Sequence, residues 1–405
     1  MMGEKKDIPV WGTVVDEGAI KQMETCLATG NAVRGALMGD HHLGYSAPVG
    51  GVIARHNEVS PSEVGFDIAC GNKAVMTTAS YPDVIEKIEK IMDSVATNIS
   101  FGIGRVSNSR HIAGQADASD HSLFDSSLWD DIPMLSGLKE MARNQLGTVG
   151  SGNHYVDLFV DPQLNVWIGV HFGSRGLGHK IASHFIKEGG GKDGINVAPA
   201  VLSMDSDLGK EYWAAMNLAG DYAYAGRDWV CNEVARILGA DIVDEVHNHH
   251  NFCWKETHGD GVHFVTRKGA TPAFFDQRGF VGGSMGEDSV ILKGVKHSDR
   301  YASLYSTVHG AGRVMSRTAA AGKVKWKKGV KTRVSEGCVS KEMMTDWISK
   351  KGVVLRGGGV DESPHCYKRL TEVLECHKNT VQVTSVLSPI GVAMAGSEIK
   401  DPYKD

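Results

Sequence analysis

No run of about 18 apolar residues occurs in the 405-residue chain, which excludes an ordinary membrane-spanning helix. The opening residues, Met1 to Asp7, hold no apolar stretch of the secretory kind. The seven cysteines, at 26, 70, 231, 253, 338, 366 and 376, are odd in number and lack a framework spacing. That excludes a disulfide scaffold and points to a reducing cytoplasm, where a thiol stays free to ligate metal. An excess of positive charge is also missing: 43 Lys and Arg against 48 Asp and Glu give a net charge of −5. A nucleic-acid partner therefore needs a local patch. The candidate is the lysine-rich segment 323–333, for which a solvated loop or edge strand is the other reading. There is no internal repeat and no low-complexity linker. What remains is 41% hydrophobic and 22% charged, the texture of a globular enzyme, expected as one catalytic domain over 1–405.

Apolar periodicity predicts helices over 16–29 and 82–97. In the second, Ile85, Ile88 and Ile91 recur every third residue, and Pro82 and Asp83 suit a first turn. Val166 to Phe172 reads as a buried strand, followed by a glycine-rich loop at 173–178 and a helical stretch at 180–187. Residues 207–239 read as one or two scaffold helices. Beyond residue 258 come short β-like pieces at 262–266, 289–293 and 303–308, each punctuated by glycine. Helices are expected at 340–350 and 367–377, then a strand at 381–386. The stretch 104–130, rich in Gly, Ser, Asp and His, is the expected mobile loop. Strands and helices do not alternate regularly. The expected class is therefore α+β, a mixed β-sheet core with surrounding helices, rather than a doubly wound fold.

Several residues are of types that carry chemistry. Asp67 and Cys70 stand three apart within a glycine-flanked turn, Gly65 to Gly71. A thiolate can bridge two metal ions, and a neighbouring carboxylate offsets the second ion's charge. Alone this is a weak signal, because a buried cysteine is more often packing. His154 and His171 are isolated and equally compatible with core histidines donating to carbonyls. The run His247-Asn-His-His-Asn251 is harder to explain as packing. Mixed sulfur, nitrogen and oxygen donors suit Mn, Co, Fe or Zn better than Mg. Glycine-rich segments at 173–178, 282–286 and 309–313 allow close approach of phosphates, although none is a Walker A loop or a dinucleotide fingerprint. Arg175, Arg313 and Arg317 supply planar forks for phosphate oxygens. His309, alone among glycines, offers an imidazole able to attack phosphorus.

In this order the motifs resemble the RtcB-type RNA-splicing ligases. The segments concerned are Asp40-His-His-Leu-Gly44, Gly65 to Gly71, Leu146 to His154, His171 to Gly178 and His249-His-Asn251. They continue as Thr266-Arg-Lys-Gly-Ala270, Gly283-Ser-Met-Gly286 and His309 to Arg317, with weaker similarity to about residue 395. The resemblance implies an enzyme joining RNA 3′-phosphate or 2′,3′-cyclic phosphate ends to 5′-hydroxyl ends, in RNA repair or tRNA splicing. It implies GTP and two Mn²⁺ ions per site. His309 would attack the α-phosphorus of GTP, forming a histidine–GMP adduct that passes to the RNA 3′-phosphate before the 5′-hydroxyl displaces GMP. Asp40 would orient that imidazole. Asp67, Cys70, His154, His171 and His250 match the metal ligands, with Cys70 bridging. Asn153, Asp157, Asn251, Gly283, Ser284, Met285, Ser289, Gly310, Ala311, Gly312 and Tyr367 fall at nucleotide-contacting positions. Arg175, Lys268, Arg313 and Arg317 match phosphate contacts for RNA ends. The implied partners are RNA with those ends and an archease-like activator, without a membrane.

The chain departs from that family on the base-reading side. Asp157 stands where Glu is usual, and Pro389 to Gly396 lacks the lysine that reaches guanine. Gly39 and Tyr45 replace a usual Pro and Lys. The expectation is a divergent paralogue that keeps histidine nucleotidylation, relaxes the preference for GTP and acts on damaged RNA. Two other readings stand beside it. One is a dinuclear-metal phosphoesterase that opens cyclic phosphates without ligation and does not need His309. The other is an RNA-end-binding protein without turnover, against which the intact ligand set counts.

Overall fold

Continuous apolar runs form the inner strands of the larger sheet. Asn165–Phe172 and Tyr155–Val160 are buried along almost their whole length, as strands covered on both faces must be. In the computed structural model, which describes residues 7–107, 117–327 and 330–399, this sheet has eight strands. Their order is Ile242–His249, Gly71–Ser80, Asn165–Phe172, Tyr155–Val160, Val381–Gly396, Ser289–Gly294 and Arg278–Val281, with Val354–Gly358 beside Val381–Gly396. Only that last pairing is parallel. The two end strands curl toward each other into a nearly closed barrel. Asn72 Nδ2 donates to the Phe280 carbonyl at 3.0 Å, and the Phe280 N–H donates to Asn248 Oδ1 at 3.1 Å. Asparagine side chains thus bridge the seam, with Phe159, Trp167, Val246 and Phe280 packed nearby.

A second sheet holds four antiparallel strands, ordered Ala32–His42, Val49–Arg55, Gly261–Lys268 and Asn251–His258. Helix Glu17–Ala28 covers it, started by an Asp16 side chain that accepts from the Gly18 and Ala19 N–H groups. Met23, Cys26 and Leu27 of that helix pack on Ala32, Leu37 and Ile53. Helix Asp207–Leu238 is a single element of 32 residues, ended by Gly239 at φ 65°. Its Tyr212, Met216 and Ala223 pack with Ile181 and Phe185 of helix Arg175–Glu188. Farther along, Val230, Cys231 and Val234 pack on the larger sheet beside Met92 and Val95. The class is α+β with a mixed sheet core, as the irregular ordering predicts.

Several local expectations change. The helix predicted over 82–97 is two helices, Tyr81–Glu86 and Ile88–Asn98, parted at Lys87. Its buried side chains are Val84, Ile88, Met92 and Val95, whereas Ile85 is exposed. A period of 3.6 residues carries an every-third pattern off the buried face. Segment 173–178 is not a free loop, because the helix already begins at Arg175. Of 303–308 only Ser306–Val308 is strand, preceded by the short helix Asp299–Ala302. The helix expected over 367–377 spans only Leu370–Glu375, while the strand expected at 381–386 runs on to Gly396.

The stretch 104–130 is not one loop either. Residues 108–116 lie outside the described residues, but 118–131 form short helical turns pinned by the buried Phe124 and Trp129. In the basic segment, Val324–Lys327 pairs with Val330–Arg333 as a hairpin, and 328–329 lie outside the described residues. No helix among the described residues is long and apolar enough to cross a membrane.

Candidate active site

Four neighbouring strands of the larger sheet end at one rim, and each delivers one potential metal ligand there. Because neighbours are antiparallel, the rim collects alternate ends. His250 follows Ile242–His249, Cys70 precedes Gly71–Ser80, His171 lies one residue from the end of Asn165–Phe172, and His154 precedes Tyr155–Val160. The register sets Asn72 and Tyr155 on either side of His171. At His250 the chain also passes from the larger sheet into Asn251–His258 of the smaller one. Asp67 comes from the turn before Cys70, where the Cys70 N–H donates to the Asp67 carbonyl at 3.0 Å. Gly173 presses on the Asp67 carboxylate, and a Cβ there would collide with it.

The donor atoms form a chain of close neighbours. Asp67 Oδ2 lies 3.0 Å from His154 Nε2, which lies 3.5 Å from Cys70 Sγ. That sulfur is 3.2 Å from His171 Nε2, itself 3.3 Å from His250 Nε2. Ligands held about 2.0–2.3 Å from a tetrahedral ion stand about 3.3–3.8 Å apart. The observed 3.0–3.5 Å spacings lie within or slightly below that range, near enough for neighbouring donors to share a cation, and Cys70, His154 and His171 offer atoms all within 4.8 Å of one another. His171 Nδ1 donates to the Asn153 carbonyl at 3.1 Å, which turns the Nε2 lone pair toward the cluster. Burial pushes the His171 and His250 imidazoles well down, so both are neutral. Desolvation alone would raise Asp67, but the charge and hydrogen bond of His154 hold it at about 2. Burial, then the Asp67 charge, pushes the Cys70 thiol up. A metal ion held there would reverse that preference, since a metal-bound thiol is deprotonated.

His309 follows strand Ser306–Val308, and Asp40 lies near the end of Ala32–His42. Asp40 Oδ2 accepts from His309 Nδ1 at 2.6 Å and from the N–H groups of His309 and Gly310 at 3.0 and 3.3 Å. Burial works against this carboxylate, yet the charge and hydrogen bonds of His309 hold it below the usual range. With Nδ1 donating, Nε2 keeps its lone pair. The His309 ring centroid is 4.9 Å from that of His250, so the His309–Asp40 pair and the donor cluster share one cleft of about 1350 Å³. Gly312, at φ 77°, lies so close to the Asp40 carbonyl that no side chain fits.

Asn153, Asp157, Asn251, Gly283, Ser284, Met285, Gly310, Ala311, Gly312 and Tyr367 line the same cleft. Ser289 stands back from it: its hydroxyl accepts from the Gly283 N–H at 3.0 Å and shapes the loop. Arg175 and Lys268 also line the cleft. Lys268 Nζ donates to the Tyr45 carbonyl at 2.5 Å, and burial lowers this amine to about 8.

Arg313 and Arg317 border the cleft, but they are not the free forks expected from sequence. Arg313 donates to Tyr367 Oη and the Asp361 carbonyl, both at 2.9 Å, with Glu362 at 3.4 Å. Arg317 pairs with Glu362 and, at 3.4 Å, with Asp361. These two acids escape the sequence reading, although an Asp-Glu pair after three glycines (357–362) was the available signal. Of the 247–250 run only His250 joins the cluster, because His247 and His249 accept from Arg227. Tyr155 is missed as well. Its hydroxyl and Asp157 Oδ1 are buried without hydrogen-bond partners among the described residues, and burial drives the Asp157 carboxyl well up.

Comparison with known proteins agrees with the motif order. The chain matches the family described as tRNA-splicing ligase RtcB over residues 22–395. RNA-splicing ligase RtcB of Escherichia coli K12 is similar, 28% identical over 380 residues and covered to 88% in both chains. tRNA-splicing ligase RtcB of Archaeoglobus fulgidus is 29% identical over 459 residues, covering 94% of this chain and 92% of its own. That of Thermococcus kodakarensis is 28% identical over 436 residues, with 88% and 86% covered. With nearly the whole chain matched, this protein belongs to the RtcB tRNA-splicing ligase family.

Proposed function

We propose that this protein is an RNA ligase that joins 3′-phosphate or 2′,3′-cyclic phosphate ends to 5′-hydroxyl ends, by way of a nucleotide carried on His309. The observation that carries this reading is the His309–Asp40 contact at 2.6 Å, set beside the metal-donor cluster. A phosphoesterase working through the metal donors has no use for that dyad. In the first step a bond forms between His309 Nε2 and the α-phosphorus of a nucleoside triphosphate as the bond to pyrophosphate breaks. The nucleotidyl group then passes to the RNA 3′-phosphate, and the 5′-hydroxyl displaces it. Asp40 keeps the Nδ1 proton in place and stabilises the positive charge the ring acquires. Asp67, Cys70, His154, His171 and His250 would hold Mn²⁺, which neutralises phosphate charge.

GTP is the expected donor, with a relaxed preference. The strand Val381–Gly396 presents Val392 and Met394 to the cleft, and Asp157 faces it with a shortened side chain. The reading is tested with an oligoribonucleotide beginning with a 5′-hydroxyl and two partners, one ending in a 3′-phosphate and one in a 2′,3′-cyclic phosphate, incubated with Mn²⁺ and GTP. A joined product is expected. Opening of cyclic ends with no joined product overturns ligation in favour of a phosphoesterase.

Lys268 makes the reaction pH-dependent. Its ammonium form, the one that meets a phosphate, is lost as pH rises through about 8. Hence kcat/KM for RNA ends, which reports ionisations of the free protein, falls across that range. Lys268→Arg keeps the charge and flattens the limb. The fall is not unfolding: a lysine whose folded pKa is depressed makes the fold more stable as pH climbs from 8 toward the ordinary lysine value. A wild-type profile that stays flat contradicts this role.

A further inference from the structure

Arg227 sits in the long helix Asp207–Leu238 and is wholly buried. A guanidinium can only donate, and its acceptors here are two backbone carbonyls and two imidazoles. Nη1 donates to the Ala69 carbonyl at 3.0 Å and the Phe172 carbonyl at 2.6 Å. Nε donates to His247 Nε2 at 2.8 Å, and Nη2 to His249 Nδ1 at 2.9 Å. Ala69 precedes Cys70, Phe172 follows His171, and His249 precedes His250. We propose that Arg227 is a positioning residue of the metal centre, a single planar fork that pins together the three segments carrying Cys70, His171 and His250.

Three observations support the clamp. The Gly71–Phe172 pair is the last rung between its two strands, and Nη1 continues their connection where the ladder stops. Ala69 adopts φ 60°, left-handed for a residue with a side chain, a conformation that persists only when its surroundings hold it. Its N–H donates to the Asn251 carbonyl at 2.7 Å while its carbonyl accepts from Arg227, so the peptide groups on both sides of its Cα are held. Tyr224 stacks on the His249 ring at 3.9 Å and faces the guanidinium at 5.3 Å, which keeps the His249 acceptor turned inward. A buried cation that donates only to neutral groups is costly, and an apolar side chain would pack the helix without that cost. What the fork adds is direction, which a lysine's point charge does not reproduce.

The proposal rests on the metal-centre reading, so the test separates the two. Mn²⁺ affinity is measured by titration calorimetry on the full chain for wild type, Arg227→Met, Arg227→Lys and Arg236→Met. The visible absorption of each protein loaded with Co²⁺ is recorded alongside. Loss of a residue that orients ligands weakens metal binding by about ten- to a hundredfold. That loss is expected for both Arg227 variants, together with altered Co²⁺ bands. Arg236→Met, which removes a part-exposed arginine whose partner is the buried Glu233 of the same helix and not a ligand-bearing segment, is expected to keep the wild-type Mn²⁺ affinity and Co²⁺ bands whatever its melting temperature. A merely structural role would lower melting temperatures and leave the Co²⁺ spectrum and Mn²⁺ affinity alone, which overturns the clamp. His249→Gln provides a milder variant should the Arg227 variants not fold. Failure of all three to fold also counts against a local role. If wild type itself binds no divalent ion, the metal-centre reading fails first.

Discussion

Alanine at position 309 abolishes both the nucleotide adduct and RNA joining, while the chain stays folded. His154 in the same cleft also meets a carboxylate, Asp67, but through the Nε2 that faces the donor chain, whereas Asp40 holds His309 at Nδ1 and leaves the Nε2 lone pair for attack. Removing it leaves the Asp40 carboxylate with the N–H groups of residues 309 and 310 alone. An under-satisfied buried acceptor costs about 1–3 kcal/mol, within a folding stability of about 5–15 kcal/mol. Asp40 also links the dyad to acid stability. Its carboxyl is held below the usual range, so its contribution is present above the unfolded carboxylate pKa and is lost as pH falls through the folded value. The His309→Ala protein, lacking that partner, loses less stability on acidification. Asp40→Asn keeps the shape but not the tautomer control, and joining slows by about 10³–10⁴. Ligation assays and pH-dependent melts check these outcomes. Cyclic-phosphate opening that survives in His309→Ala assigns that step to the metal donors. Undiminished joining in that variant removes the nucleophile.

Cys70→Ala has the second large effect. The sulfur is the central link of the donor chain, 3.5 Å from His154 and 3.2 Å from His171. Without it the Asp67–His154 pair and the His171–His250 pair are separate two-ligand sites. Mn²⁺ affinity is expected to fall by at least about a hundredfold, the upper end of what a mere orienting residue costs, and joining falls with it. Metal stabilises a fold by an amount that grows with its concentration relative to Kd. Wild type therefore melts progressively higher as Mn²⁺ is added, and Cys70→Ala stays flat over the same range. A Cys70→Ala protein that keeps both the Mn²⁺-dependent rise and joining contradicts a ligand role for the sulfur.

How far the site is legible in sequence depends on the range of the interaction. Cys70, His154, His171 and His250 are individually ambiguous, because what unites them is the register of four strands drawn from residues 71 to 249. Only the colinear order of whole motifs makes them readable together. His247 and His249 mislead for a related reason: nothing local reveals that a guanidinium from a helix some twenty residues earlier fills the space beside them. That arginine interrupts an Ala- and Tyr-rich helix stretch at 222–230, which was its one sequence signal. Arg313 and Arg317 look free until Asp361 and Glu362 fold back onto them. Closure of the larger sheet is likewise invisible to periodicity, since Asn72 and Asn248 bridge its seam with side chains. The α+β class and the strands Asn165–Phe172, Gly261–Lys268 and Ser289–Gly294 are legible because they follow from local pattern, whereas Ala32–His42, Val49–Arg55, Gly71–Ser80, Tyr155–Val160 and Ile242–His249 escape the sequence reading.

The most direct test concerns the His309 imidazole itself. The full chain is incubated with Mn²⁺ and each of the four ribonucleoside triphosphates in turn, and its intact mass and peptide map are then recorded. The expected result is a gain of one nucleoside monophosphate on His309 with GTP, and also with ATP given Asp157 and the lysine-free strand through Met394. A chain that gains no nucleotide from any of them, or gains it on a residue other than His309, contradicts the proposed function.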